Sequence, residues 1–166
     1  MAGTHIEVSA DTAAIEATLA RAVQALGSPN VLLLSVGEEM LNATRDRFKN
    51  QQSPDGAKWA ALLPAYQKSK EKNQNKILTL DGYLGGTLRY QVDGAAVEVG
   101  SNLEYAAIHQ FGGTIKPKKA RALKIGDRHV GAAKIPARPF LGMNADDEVR
   151  ILELAQDFMQ NALIGK

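Results

Sequence analysis

His109 is the residue whose type and setting come nearest to chemistry. On a helix it shares a face with Tyr105, four positions earlier, and Glu104 and Gln110 stand close by, so a general base can be imagined there. Such a base needs an acid or nucleophile partner, and the sequence identifies none. The expectation is instead that His109 packs beside a sheet with its ring hydrogen-bonded, as buried polar groups usually are. Nucleophilic hydrolysis needs a converging Ser, His and acid, and no Gly-x-Ser-x-Gly elbow exposes a serine. Gly82-x-x-Gly85-Gly86-Thr87 resembles a phosphate cradle but lacks the Gly-Lys-Ser/Thr ending and the long helix that must follow it. Those glycines read as a turn into a strand. Cysteine is absent, and His5, His109 and His129 are far apart without His-x-x-x-His spacing, which excludes a disulfide framework, a thiolate site and a local histidine cluster. No catalytic residue, metal or cofactor is expected.

The other chemically distinct stretch is Lys116-Pro117-Lys118-Lys119-Ala120-Arg121-Ala122-Leu123-Lys124. Residues 116–134 carry seven Lys or Arg and one Asp, a formal +6 that leaves −4 for the rest of a chain whose total is +2. Lys116, Lys118, Lys119, Arg121 and Lys124 could neutralise phosphates and give sequence-independent, salt-sensitive DNA binding. Aromatic residues for base stacking are missing from the strip. The plainer reading, slightly favoured, is a solvated hairpin whose lysines blunt an edge strand.

These residues must be positioned by a soluble, folded chain of 166 residues, the size of one domain. Hydrophobic residues make up 45% and charged residues 23%, which argues against disordered, collagen-like and membrane classes. The N-terminus lacks the pattern of a signal peptide, and residues 31–36, the longest nearly apolar run, are too few to cross a bilayer. Folding in a cytoplasm, with no membrane span, is the expectation.

Helical spacing of Ile15, Leu19, Val23 and Leu26 predicts a first helix over 11–26, with Asp11 as its cap. Ser28-Pro29 opens a second, to about Asn50, whose inner stripe is Leu33, Val36, Met40, Leu41, Thr44 and Phe48. Gly37 within it suggests a kink or a close neighbour. A loop-rich connection over 51–80 follows, with Trp59 as its anchor and a lysine-rich, mobile part at 66–76. The pattern then alternates: Leu88, Tyr90 and Val92, then Asp93-Gly94, then Ala95, Val97 and Val99 predict a hairpin with a type I′ turn. Asn102 caps a short helix to Phe111, short strands surround a basic loop at 114–134, and a last helix over 145–163 presents Val149, Leu152, Ala155 or Gln156, Met159 and Leu163 inward. The predicted fold is one α+β domain: N-terminal helices over 1–50, the connection over 51–80, a mainly antiparallel sheet with a short inserted helix over 81–142, and a C-terminal helix over 143–166.

Four ordered motifs go further. They are Phe48-x-x-x-x-Ser53-Pro54-Asp55-Gly56-x-x-Trp59; Leu78-x-x-Asp81-Gly82-x-Leu84; Val97-x-Val99-Gly100-Ser101 leading to Tyr105-Ala106-Ala107-Ile108-His109-Gln110-Phe111-Gly112-Gly113; and Ile135-Pro136-Ala137-Arg138-Pro139-Phe140-Leu141-Gly142. Together they resemble the phage virion morphogenesis family, which takes in tail completion proteins and the G proteins of Mu-like phages. Asp81 departs from the small hydroxyl residue common before that Gly, and residues 11–26 carry no family motif. The resemblance implies a structural, non-enzymatic protein of the neck or upper tail of the virion, assembled in the host cytoplasm. It also implies a ring, commonly six-fold, on top of the tail tube, next to tail-terminator, tail-tube or connector proteins, with DNA in the channel. Within that picture Trp59, Tyr105, His109, Gln110, Phe111 and Gly112 read as structural. Arg138, Pro139, Phe140 and Leu141 suit a subunit contact, with a planar fork, stiffening prolines and an apolar anchor. Equally, Phe140 and Leu141 could plug the core.

Overall fold

The computed structural model describes residues 13–117, 121–125 and 128–164. His5, the expected cap Asp11, Lys118 and Lys119 lie outside the described residues, as do the side chains of Ile15, Leu26 and Lys124.

Two helices come first, α1 (Ala13–Gly27) and α2 (Asn30–Asn50). The stripe expected on α2 is the buried one: Leu41 and Thr44 are buried and Leu33, Val36, Met40 and Phe48 half-buried. Arg47 and Gly37 join them inside. Gly37 is a close approach. A Cβ built there would lie 2.2 Å from Cδ2 of Tyr90, so the aromatic ring sits flat against helix backbone that only glycine leaves bare. Gly37→Ala is therefore expected to lose about 1–3 kcal/mol to overpacking although Ala is the better helix former. Urea unfolding would show it as a lower midpoint, and Tyr90→Ala in the same chain should reverse part of the loss.

The connection contains α3 (Pro64–Ser69) and α4 (Tyr83–Gly86). Between them the expected mobile stretch is ordered, for a reason composition hides. Lys70 is 6% exposed, and its ammonium donates to the carbonyls of Asn73 (2.7 Å), Lys76 (2.7 Å) and Thr79 (2.9 Å). All three of its donors are satisfied, which ties the loop around one cation. Burial pushes this lysine below its ordinary pKa.

Strands β1 (Arg89–Asp93) and β2 (Ala96–Gly100) pair antiparallel with Asp93 opposite Ala96. The turn is thus Gly94-Ala95, and only Gly94 has positive φ (58°), the pattern of a II′ turn where I′ was expected. Tyr90, Val92, Val97 and Val99 form the inner face, and the ribbon packs on α2. Next comes α5 (Ala106–Phe111), shorter than expected; Ser101 Oγ, not Asn102, accepts the backbone N–H of Leu103 ahead of it.

The basic region is a second ribbon. Strand β3 (Gly113–Ile115) pairs with β6 (Ala133–Ile135), and nested within them β4 (Leu123–Ile125) pairs with β5 (Arg128–Val130). The antiparallel pairing among described residues thus takes the form of three two-stranded ribbons.

The chain closes with α6 (Ala145–Ile164), which packs on α1 and α2. Its expected inner stripe is corrected in part: Ala155 and Met159 are half-buried as expected, but the other three positions are not inside. Val149, Leu152 and Leu163 are 53%, 62% and 40% exposed, while Asp147 is buried and Ile151, Leu154 and Phe158 are half-buried. The same inversion holds on α1, where Leu19 and Val23 are exposed and Thr18, Ala22 and Ala25 are half-buried. Both helices carry apolar residues on more than one face, so periodicity alone did not separate the inner positions from the outer ones. The fold is α+β, with N-terminal helices, antiparallel strands holding a short inserted helix, and a C-terminal helix. Among the described residues no single helix is long and apolar enough to cross a membrane.

Candidate functional site

Residues 135–142 form a strap that the other motifs grip from three sides. Phe140 is wholly buried; its ring lies 5.4 Å from that of Phe48, which in turn meets Trp59 edge-on at 5.3 Å. Trp59 Nε1 donates to the Pro139 carbonyl (2.7 Å). The Gln110 side chain pairs with the strap as a neighbouring strand would: Oε1 accepts from the N–H groups of Phe140 (2.9 Å) and Leu141 (3.0 Å), and Nε2 donates to the Leu141 carbonyl (2.9 Å). Gly112, at φ 71°, lets the strap pass, since a Cβ there would sit 2.7 Å from the Ala137 nitrogen.

Arg138 is 6% exposed and spends its fork on backbone, donating from Nε to Ala60 O (2.8 Å) and from Nη2 to Ala61 O (3.1 Å). Phe140 and Arg138 are thus internal, which corrects the expectation of a free apolar anchor and a free guanidinium. Pro139 and Leu141 are half-buried with their backbones engaged in the same way. A Pro-flanked Arg and Phe look alike in sequence at a surface and at a plug; the carbonyls of Ala60 and Ala61 and the Phe48 and Trp59 rings decide for the plug.

The strap's far end is locked by a pair that sequence reasoning missed. Arg47 and Asp147, each 4% exposed, form an ion pair, and Arg47 Nη1 also donates to the carbonyls of Gly142 (2.8 Å) and Phe140 (3.3 Å). Asp147 and Asn144 make a reciprocal cap at the start of α6: Asn144 Oδ1 accepts from Asp147 N (2.8 Å), and Asp147 Oδ2 accepts from Asn144 N (2.9 Å). The Asn-x-x-Asp spacing was the available signal, since it is a capping box in another spelling.

His109 lies against the strap's other end. Its carbonyl accepts from Arg138 N (2.8 Å), Tyr105 meets its ring edge-on at 6.0 Å, and Nδ1 is buried without a partner among the described residues. The expected hydrogen bond of the ring is absent at that atom. Burial first, then the Arg138 charge, push the imidazole below its ordinary pKa, so it is neutral at pH 7. Among the described residues no carboxylate stands in ion-pair reach of this ring. Among the described residues no group of three His, Asp or Glu could hold a metal.

The remaining motif residues divide cleanly. Leu84 is core, Leu78 packs against it, and Asp81 pairs with Lys72 at 2.5 Å on the surface. Phe111 is the exception in its motif: Gln110 and Ala106 turn inward and leave it 79% exposed. Lys116 and Arg121 are exposed on the second ribbon, well apart in role from the strap.

The model of the phage virion morphogenesis family matches residues 10–160. The chain is 31% identical over 146 residues to Mu-like prophage FluMu G protein 2 of Haemophilus influenzae, covering 88% of this chain and 89% of that one. It is 29% identical over 128 residues to the provisionally named capsid assembly protein G of Escherichia phage Mu, covering 75% of each. FluMu G protein 1 of Haemophilus influenzae is 27% identical over 147 residues, covering 86% of each. No solved structure matches the chain. The strap and its clamps are thus features of a structural protein, and the chain belongs to the phage virion morphogenesis family.

Proposed function

We propose that the chain is a ring subunit of the particle's neck, completing the tail or joining it to the head, in contact with its own copies and with tail-terminator, tail-tube or connector proteins. One observation carries the reading: large apolar side chains stand uncovered on several described elements. Leu63, Tyr83, Phe111, Val149 and Leu152 are each more than half exposed. Large apolar side chains left uncovered mark surfaces that a partner closes. The capsid-side name of the phage Mu relative and the tail completion role implied by the motifs meet at the neck, where head and tail join.

The test is the position of the chain in a density map of the whole particle, with tails assembled without it as the companion sample. Density at the neck and tails that fail to join heads are expected; a chain missing from purified particles would refute the proposal. Phe111 gives a residue-level check. Phe111→Ser should leave the unfolding free energy within about 0.5 kcal/mol, as exposed positions do. As an exposed aromatic of the hot-spot type it should weaken assembly by about 2 kcal/mol, roughly 30-fold, read as chain retained in particles.

A further inference from the structure

We infer that, within the proposed ring, the basic ribbon of one copy lies along the outward face of α6 of the next copy. The inference rests on the ring reading and assigns its interface. The ribbon's strands pack chiefly on each other: β3 is exposed at all three positions, and Ile115 is 39% exposed. A lone two-stranded ribbon is marginal in water and gains stability when something covers it. The outward face of α6 is the complementary half. Val149 and Leu152 stand uncovered there, and Asp146, Glu148, Glu153 and Asp157 are exposed on the same helix.

Charge selects the pairing. Among the described residues the ribbon exposes Lys116, Arg121 and Lys134, and α6 exposes Asp146, Glu148, Glu153 and Asp157; Asp147 is buried against Arg47, and Arg150 is already paired with Glu39 at 2.9 Å. The ribbon also interleaves apolar residues, Ile115, Leu123 and Val130, with its bases. A phosphate backbone has no use for those, whereas an apolar and acidic helix face matches both kinds. Ribbon on helix is a heterologous contact, each copy giving one surface and receiving on another, which is what closure into a ring requires.

The chain has no cysteine, so none of its own thiols competes with introduced ones, and crosslinks to this chain alone are identified by the mass of the multimers. Two double variants, Ile115→Cys with Leu152→Cys and Thr114→Cys with Gln156→Cys, sample two registers. Oxidised in purified particles, at least one should give a ladder of covalent multimers beyond the dimer, while each single variant stays monomeric. The pairing is overturned if the chain is present in particles and neither double variant ladders, or if Leu152→Cys alone yields dimers, which would place α6 against α6. Wild-type chain missing from particles would instead remove the ring reading itself.

Charge exchange is the independent measurement. Lys116→Glu with Arg121→Glu, and separately Glu153→Lys with Asp157→Lys, should each lower incorporation about tenfold or more, and all four together should restore most of it. Failure of the combined chain to recover, with both parents impaired, also overturns the pairing.

Discussion

Replacing Phe140 by Ala is expected to cost about 3–5 kcal/mol of folding free energy, the usual loss for a wholly buried phenylalanine. Most small domains have only about 5–15 kcal/mol in total, so the variant should be poorly folded at growth temperature. Two effects add. The ring leaves an unfilled volume beside Leu41, Leu84 and Leu88, and Phe48 loses one of its two aromatic neighbours. Phe140→Leu keeps most of the volume and should cost clearly less, about 1.5 kcal/mol. Equilibrium urea unfolding of the isolated chain reads both values. An unchanged midpoint for Phe140→Ala, with assembly lost, would return this residue to the subunit surface and remove the strap as an internal element.

Asp147→Ala should be nearly as damaging, about 3–5 kcal/mol, because it leaves the Arg47 guanidinium buried without its counter-charge. The substitution also removes the acceptor for Asn144 N and so half of the cap that starts α6. Adding Arg47→Met removes the stranded charge, and the double variant should be less unstable than the two single losses summed, with a coupling of about 0.5–3 kcal/mol. It should not reach wild-type stability, since the carbonyls of Phe140 and Gly142 then lack their donor. Strictly additive losses in thermal and urea unfolding would show that the pair does not act as a unit. Both experiments bear on function through position: Arg47, Asp147 and the strap set how α2, α5 and α6 lie together, and hence where Phe111 and the outward face of α6 stand for a partner.

Much of the local structure was legible because it depends on neighbours along the chain. The period of Leu33, Val36, Leu41, Thr44 and Phe48 specified the buried side of α2, and Gly37 marked a close approach, later seen to be Tyr90. The β1–β2 hairpin followed from alternation around Asp93 and Gly94, with its turn shifted by one residue. The absence of a catalytic constellation and the four ordered motifs were equally a matter of residue type and spacing.

What the sequence determined by itself, then, was most of the elements and the family, because helical and strand periods, turn chemistry and motif order are written locally; α4 and β6 were not read. Tertiary structure alone decided which side of each element faces a partner. Val149, Leu152, Leu19 and Val23 have the spacing of an inner stripe and point outward, because Ile151, Leu154 and Phe158 on α6, with Ala22 and Ala25 on α1, occupy the inside. Arg138 and Phe140 have the chemistry of an interface and are buried, because carbonyls and rings some 80 to 90 residues away reach them first. Lys70 belongs to the most soluble-looking stretch and orders it, because three carbonyls close on one ammonium. Contacts between residues far apart in the chain leave no period to read, and they set the surfaces through which this protein meets its neighbours.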